Sequence, residues 1–348
     1  MVGSKIAGKR GNEEVRACLL IYEVFPNMTI IKNFIYSLSQ SLPLSRGDDN
    51  DFYYFIKLQF GLYIEKLSSL PQNDLSSFIA ESKEMSGNAS ARRFVNLIKD
   101  IQNQCLNILR FAYKGDSYSA IKRLEQLLTV QKFTKYRLND MLVNYFVLGD
   151  EYGETLYRCV DFKKGEVSDN CWHVPYNMKY RASRGRFNQL GTICMYLSNS
   201  KNCASKELGE VDDVKKNRWV GEFRPKMMLY LYNFVIPTRE EIERMNAYEQ
   251  FCFLLTYPFY MLCLTKTSHS SSPFCEEYLF SQLFFQMLFL QPNNKCPRFD
   301  GIKYSSMHIP DSINIVILAK YSSKIPPKDG YSKYLKSLLE AIKEPYVL

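Results

Sequence analysis

The sequence predicts an α+β chain whose first half is all-α and whose second half mixes strands with helices. Two observations carry this prediction. Up to about residue 150, apolar residues recur at three- and four-residue steps, the period of amphipathic helices. Beyond Gly153, short strand-like runs stand between helical ones without the regular alternation that a doubly wound sheet requires. A chain of 348 residues suits two ordinary domains. We place the boundary between residues 140 and 153, dividing a helical domain, 1–150, from a mixed domain, 151–348.

Helices are expected around Met28–Leu42 and Phe52–Leu67, separated by Pro43 and the polar run Ser45–Asp51. Phe94, Leu97, Ile98, Ile101, Cys105, Ile108, Leu109 and Ala112 then share one helical face. Lys114-Gly115-Asp116-Ser117 supplies a glycine stop and a capping residue, and the next helix turns Ile121, Leu124, Leu127 and Leu128 inward. Asn139–Leu148 reads as a third helix, ending near Gly153. In the second half, strands are expected at Thr155–Val160, Cys194–Leu197 and Ile313–Leu318, with helices at Glu240–Leu264 and Glu276–Leu290.

The net charge of +9 suits an anionic partner such as a nucleotide, and equally plain solubility. Lysines and arginines are spread along the chain with no dense basic block, so nucleic-acid binding is not expected. The ten cysteines include no Cys-x-x-Cys pair, which argues against zinc ribbons and dithiol redox motifs. Cys252 and Cys263 lie in apolar runs and read as small buried hydrophobes of a reducing, cytoplasmic protein. Met1–Arg10 is basic but no apolar signal-peptide core follows it at once. Phe251–Leu264, interrupted by Pro258, is too short to span a bilayer, so no membrane association is expected. The Asn-x-Ser/Thr sites at Asn27 and Asn88 carry no weight in that setting.

Chemistry concentrates in Cys171–Glu210. Here Arg186 precedes a glycine turn, a strand presents Tyr196, and a helix carries Glu207. That order could set a cation, an aromatic face and a carboxylate around one pocket. Singly, each has an ordinary reading as a structural arginine, a core tyrosine and a solvated helix face. His173, beside Val174-Pro175-Tyr176, reads more readily as a hydrogen-bonded structural residue than as a base.

Together, Arg186-Phe187-Asn188, Gly191-Thr192, Tyr196-Leu197-Ser198-Asn199-Ser200, Ala204 and Glu207 resemble the central signature of the RES family, named for its Arg, Glu and Ser. His173-Val174-Pro175-Tyr176 resembles the entry to this motif in a longer subgroup of the family. Leu156-Tyr157-Arg158 is similar to the family's opening strand. Asp300-Gly301-Ile302-Lys303-Tyr304-Ser305-Ser306, followed by Asn314 and an apolar strand, is similar to its late serine element. The resemblance covers roughly residues 154–320; the first half matches only in being a helical extension. Phe187 stands where the family often has Trp, which keeps the packing role.

The resemblance implies an ADP-ribosyltransferase-like fold that binds NAD⁺ and cleaves its nicotinamide–ribose bond by hydrolysis or phosphorolysis, as a toxin or anti-phage effector. Transfer of ADP-ribose to a macromolecule from the same pocket is the alternative. It implies that Glu207 is the catalytic carboxylate, that Arg158 and Arg186 hold the dinucleotide, and that Tyr196 contacts the nicotinamide side. Ser306 would complete the pocket, with Ser305 as the other candidate, and His173 and Asn314 would line its cofactor side. No metal and no cofactor beyond NAD⁺ as substrate are implied. The implied partner is an antitoxin or regulatory protein; separately, apolar faces of the first-half helices could support self-association into a homo-oligomer, or equally be buried internally.

The assignment is chemically coherent. A carboxylate stabilises an oxocarbenium-like ribose, and can hydrogen-bond the ribose hydroxyls or activate an attacking water. Arginine grips pyrophosphate through its planar fork, and tyrosine offers a cationic ring a flat face. The helical half could be regulatory, with a HEPN-like shape. HEPN nucleases need an Arg followed closely by a His, and all three histidines, His173, His269 and His308, lie in the second half, which excludes that chemistry.

Overall fold

The computed structural model describes residues 28–47, 51–85, 90–129, 134, 137–146, 155–166, 171–210, 215–267, 274–290, 299–320 and 330–348, in a mixed α+β arrangement. The first half supplies α1 (Ile30–Gln40), α2 (Phe52–Ser68), α3 (Gln72–Ser82), α4 (Ala91–Tyr113), α5 (Ser117–Thr129) and α6 (Leu138–Leu142). Side-chain caps set where several of these begin. Thr29, Asp51, Ser90 and Asp116 each accept the N–H of the residue three positions on. Each such bond satisfies one of the N–H donors that a helix start leaves without an internal partner. Gly115, at φ +77°, closes α4 before Asp116 opens α5, as the sequence leads one to expect.

The third helix expected at Asn139–Leu148 is corrected. It stops at Leu142, and Val143–Phe146 forms strand β1, paired antiparallel with Leu229–Tyr232. β-branched and aromatic residues there favour the extended chain once a partner strand is offered. Residues 147–154, which include the second half of the predicted boundary region, lie outside the described residues.

The remaining elements are β2 (Leu156–Lys163), β3 (Cys194–Ser198), α7 (Lys201–Lys206), β4 (Lys216–Pro225), β5 (Leu229–Phe234), α8 (Arg239–Arg244), α9 (Ala247–Cys263), α10 (Leu279–Leu290), β6 (Gly301–Ser305), β7 (Ile313–Leu318), α11 (Lys333–Leu338), β8 (Leu339–Ala341) and β9 (Tyr346–Val347). The single helix expected at Glu240–Leu264 is two, because Asn246 and Glu249 form a second capping box just after that of Thr238 and Glu241. The helix expected from Glu276 opens with a 3₁₀ turn, Glu276–Tyr278.

The sheet runs β1-β5-β6-β7-β3-β2-β4-β8, with β9 also on β4. Among the described strands only β5 and β6 pair in parallel, and the chain between them supplies α8, α9 and α10. Side chains alternate across it with the two-residue period of a strand. Val316 and Leu318 join Tyr232, Ile302 and Tyr304 in a cluster with the helices, while Ile315 and Ile317 join Met195, Leu197 and Leu231 in a second cluster under Leu335 and Leu338. The first cluster also holds α1 to α6, α9 and α10, so helices from both halves of the sequence share one core. Gly301 allows the close pairing of β6 with β7, since a Cβ there would meet the Val316 carbonyl oxygen at 2.1 Å.

Helix α9 is buried from Gln250 to Cys263 on every face, as an all-round apolar helix requires. Pro258 has no N–H to give the Leu254 carbonyl one turn earlier. The Tyr63 hydroxyl of α2 donates to that oxygen instead, at 2.6 Å. Among the described residues no helix is long and apolar enough to cross a membrane, and the eight described cysteines are all buried free thiols.

Candidate functional site

Strands β2 and β3 share one paired position, Tyr157 with Ser198, and a cavity of about 580 Å³ opens where they part. This lies within the range of small-molecule sites, about 300–1,000 Å³. Arg158, Arg181, Arg184, Arg186 and Lys266 line it, and Glu207 is the one carboxylate among its described lining residues. Such a wall favours an anionic ligand that meets a single carboxylate.

Glu207 follows the last turn of α7, whose start is capped by Ser200 through the Cys203 N–H. Its Oε1 accepts from Ser306 Oγ at 2.8 Å and from Asn314 Nδ2 at 2.6 Å. The Asn314 amide is oriented by the Cys203 thiol, which donates to Oδ1 at 3.6 Å. His308 Nε2 lies 3.9 Å from Glu207 Oε2, beyond direct hydrogen-bond range. Behind the carboxylate, buried Arg218 grips both sides of its turn. NH1 donates to Ser205 O, Ser205 Oγ and Gly209 O, while Nε and NH2 hold Asp161 at 2.7 and 2.9 Å.

Tyr196, on β3, donates through its hydroxyl to Asn188 Oδ1 at 2.8 Å and accepts from the Phe187 N–H at 3.2 Å. Asn188 Nδ2 in turn donates to the Ser183, Gln189 and Thr192 carbonyls, which fixes the loop that carries Arg186. Gly185 is required there, because a Cβ would sit 2.6 Å from both Asn188 Oδ1 and the Tyr196 hydroxyl. Burial pushes the Tyr196 and Tyr304 phenols well above their ordinary values, so both remain neutral donors.

Arg186 is buried with its guanidinium 5.0 Å from the Tyr278 ring. Its NH1 donates to the Cys263 and Thr265 carbonyls at the end of α9, where helix carbonyls lack internal partners. Two of its five N–H donors are thus spent on the fold. Arg158 donates through NH1 to the Tyr196 carbonyl at 3.3 Å, and its Nε is buried without a hydrogen-bond partner. Burial lowers its pKa, against the raising effect of nearby thiols and Tyr196. A buried guanidinium donor left open beside a cavity suits a ligand oxygen.

Of the residues singled out from sequence, Arg158, Arg186, Tyr196, Glu207 and Asn314 line this cavity, and Ser306 touches it through Glu207. Ser305 faces elsewhere, its hydroxyl accepting from the Ile236 N–H. His173 is not among the lining residues. Its Nδ1 contacts the Val174 carbonyl at 2.7 Å, and its Nε2 accepts from the Ser332 N–H at 2.8 Å. Both ring nitrogens are therefore occupied by backbone, the ordinary reading of a buried histidine. Sequence reasoning missed Tyr278, Lys266, His308 and Arg218. Only His308 carried a signal, two positions beyond Ser306. His269 lies outside the described residues.

Among the described residues no group of three or more His, Cys, Asp or Glu is placed to hold a metal ion. No protein-family model matches the chain, and no curated protein and no solved structure matches it.

Proposed function

We propose that this protein is a NAD⁺-degrading enzyme, with a RES-type, ADP-ribosyltransferase-like domain that cleaves the nicotinamide–ribose bond. The observation that carries the reading is Glu207, anchored through Oε1 by Ser306 and Asn314 in a cavity whose other charged described lining residues are arginines and a lysine. Anchoring one oxygen leaves Oε2 to face the reacting ribose. There a fixed negative charge stabilises the positive charge that develops at the anomeric carbon, without reorganisation during the reaction.

Arg158 binds the pyrophosphate through its open Nε. Arg186 contributes positive potential, with the guanidinium held in place by the end of α9. The Tyr196 hydroxyl is committed to Asn188 and Phe187, so it is the ring that meets nicotinamide. Such an activity depletes a cell of its own NAD⁺, which fits a cytoplasmic toxin or antiviral effector restrained by an antitoxin, a regulatory protein or its own helical half.

The test is nicotinamide release from NAD⁺ by the purified chain beside Glu207→Gln, which keeps the shape and removes the charge. Turnover is expected to fall at least about 10²-fold. Equal turnover by both proteins would overturn the assignment. With labelled NAD⁺, free ADP-ribose or its phosphate indicates degradation, and label on a macromolecule indicates ADP-ribosyl transfer.

A further inference from the structure

We infer that His308 is the acceptor-side residue of this cavity: its Nε2 and Glu207 Oε2 bracket the hydroxyl that attacks the ribose. The inference rests on the NAD⁺ reading and adds the residue that receives the second substrate.

Three observations carry it. First, the two oxygens of Glu207 are unequal. Oε1 accepts from both Ser306 and Asn314, whereas Oε2 accepts no hydrogen bond from the described residues. Second, His308 Nε2 lies 3.9 Å from Oε2. That is too long for a direct bond and short enough for one small hydroxyl to contact both atoms. Third, the position of His308 is registered on the carboxylate. Ser306 Oγ, while donating to Glu207, accepts the N–H groups of His308 and Ile309 at 3.1 and 3.2 Å. The turn 306–309 is thereby tied to Glu207, and the His308 side chain, half-exposed, lines the cavity from the solvent side.

The chemistry closes. An acceptor R–OH forms the new C1′–O bond as the C1′–N bond breaks, and the electron pair of that bond leaves with nicotinamide as a neutral ring. The acceptor proton passes to His308 Nε2 in its neutral form, or to Glu207 Oε2, and then to solvent. The sum is NAD⁺ plus R–OH giving ADP-ribosyl–OR, nicotinamide and a proton, with no oxidant or further reactant.

A residue that seats the acceptor governs which acceptor wins, while one that only supports the fold lowers all products together. The experiment therefore follows NAD⁺ turnover in water with methanol as competing acceptor. It compares the ratio of methyl ADP-ribose to ADP-ribose for the wild type, His308→Gln and His308→Ala. The half-exposed position makes both variants compatible with folding, which thermal melting checks. The ratio is expected to shift at least about fivefold in His308→Ala, with the KM for NAD⁺ within about twofold of wild type and His308→Gln intermediate. An unchanged ratio in both variants would overturn the inference and leave the NAD⁺ reading standing. Absence of nicotinamide release by the wild type would overturn both.

Discussion

Tyr63 offers a sharp test of how α9 tolerates a proline at its centre. Tyr63 is 2% exposed, and its hydroxyl is the donor that serves the Leu254 carbonyl opposite Pro258. Tyr63→Phe removes that donor and little else. The ring can keep its contacts with Phe34 and Tyr257, at centroid separations of 6.3 and 4.9 Å. A buried carbonyl left without a partner costs about 1–3 kcal/mol, so we expect a loss of about 2 kcal/mol. Pro258→Ala restores an N–H one turn beyond Leu254. In that background the carbonyl has a helical donor again, and Tyr63→Phe should cost about 0.5 kcal/mol or less. The coupling in the double-mutant cycle is then about 1.5 kcal/mol. Urea unfolding of the four full-length proteins, followed by far-ultraviolet circular dichroism, measures it. Equal costs in the two backgrounds would refute the reasoning, because the hydroxyl would then not be standing in for the missing N–H.

The other expectations concern the site and its supports. Arg218→Gln leaves Asp161 without its two-bond partner and frees the Ser205–Gly209 turn; it should destabilise the chain by about 3 kcal/mol, read from the shift in denaturation midpoint. Arg46→Leu removes the guanidinium paired with Glu277, which is 1% exposed, and should cost about 3 kcal/mol while loosening the turn that carries Tyr278. Gly185→Ala crowds the Tyr196–Asn188 hydrogen bond, and about 1–3 kcal/mol of overpacking should appear as a lowered melting temperature. Burial pushes the Glu222 carboxyl up, but bonds from Tyr346, Lys343 and Lys201 outweigh it and hold the group below its ordinary 4.5. A depressed folded pKa contributes stability that is present above the unfolded value and lost as pH falls through the folded one, so Glu222→Gln should flatten the decline in stability below about pH 4.5.

Local signals were readable in the sequence where a residue's role is set by its near neighbours. The apolar stripe of α4, the Gly115-Asp116 punctuation and the apolar run of β7 all fall where the pattern places them. The break between α8 and α9 was readable too, in Asn246 and Glu249, but the long apolar run obscured it. β1 was not readable, because Leu142–Phe146 suits a helix or a strand and its partner β5 lies far along the chain. At the site, the order of Arg186, Tyr196 and Glu207 pointed to one pocket. It could not tell which arginine is spent on α9, nor that His173 is held by Ser332, since those bonds span long separations. Arg218 acts only through tertiary contacts and leaves no mark on the sequence around it.

The long separation between Glu207 and its anchors also sets a timetable. Asn314 follows Glu207 by 107 residues, and β7, which carries Asn314, is inserted between β3 and β6. A ribosome adding about 5–20 residues per second needs roughly 5–20 s to cover that interval. For nearly all of it the carboxylate has been made but has neither Ser306 nor Asn314 to hold it, and β3 lacks its β7 neighbour. On the proposed reading, a nascent chain cannot act on NAD⁺ until β7 has been made, by which time the helices of its first half are already available to fold. For a protein whose proposed chemistry endangers the cell that makes it, synthesis itself provides a delay in which a restraining partner can bind first.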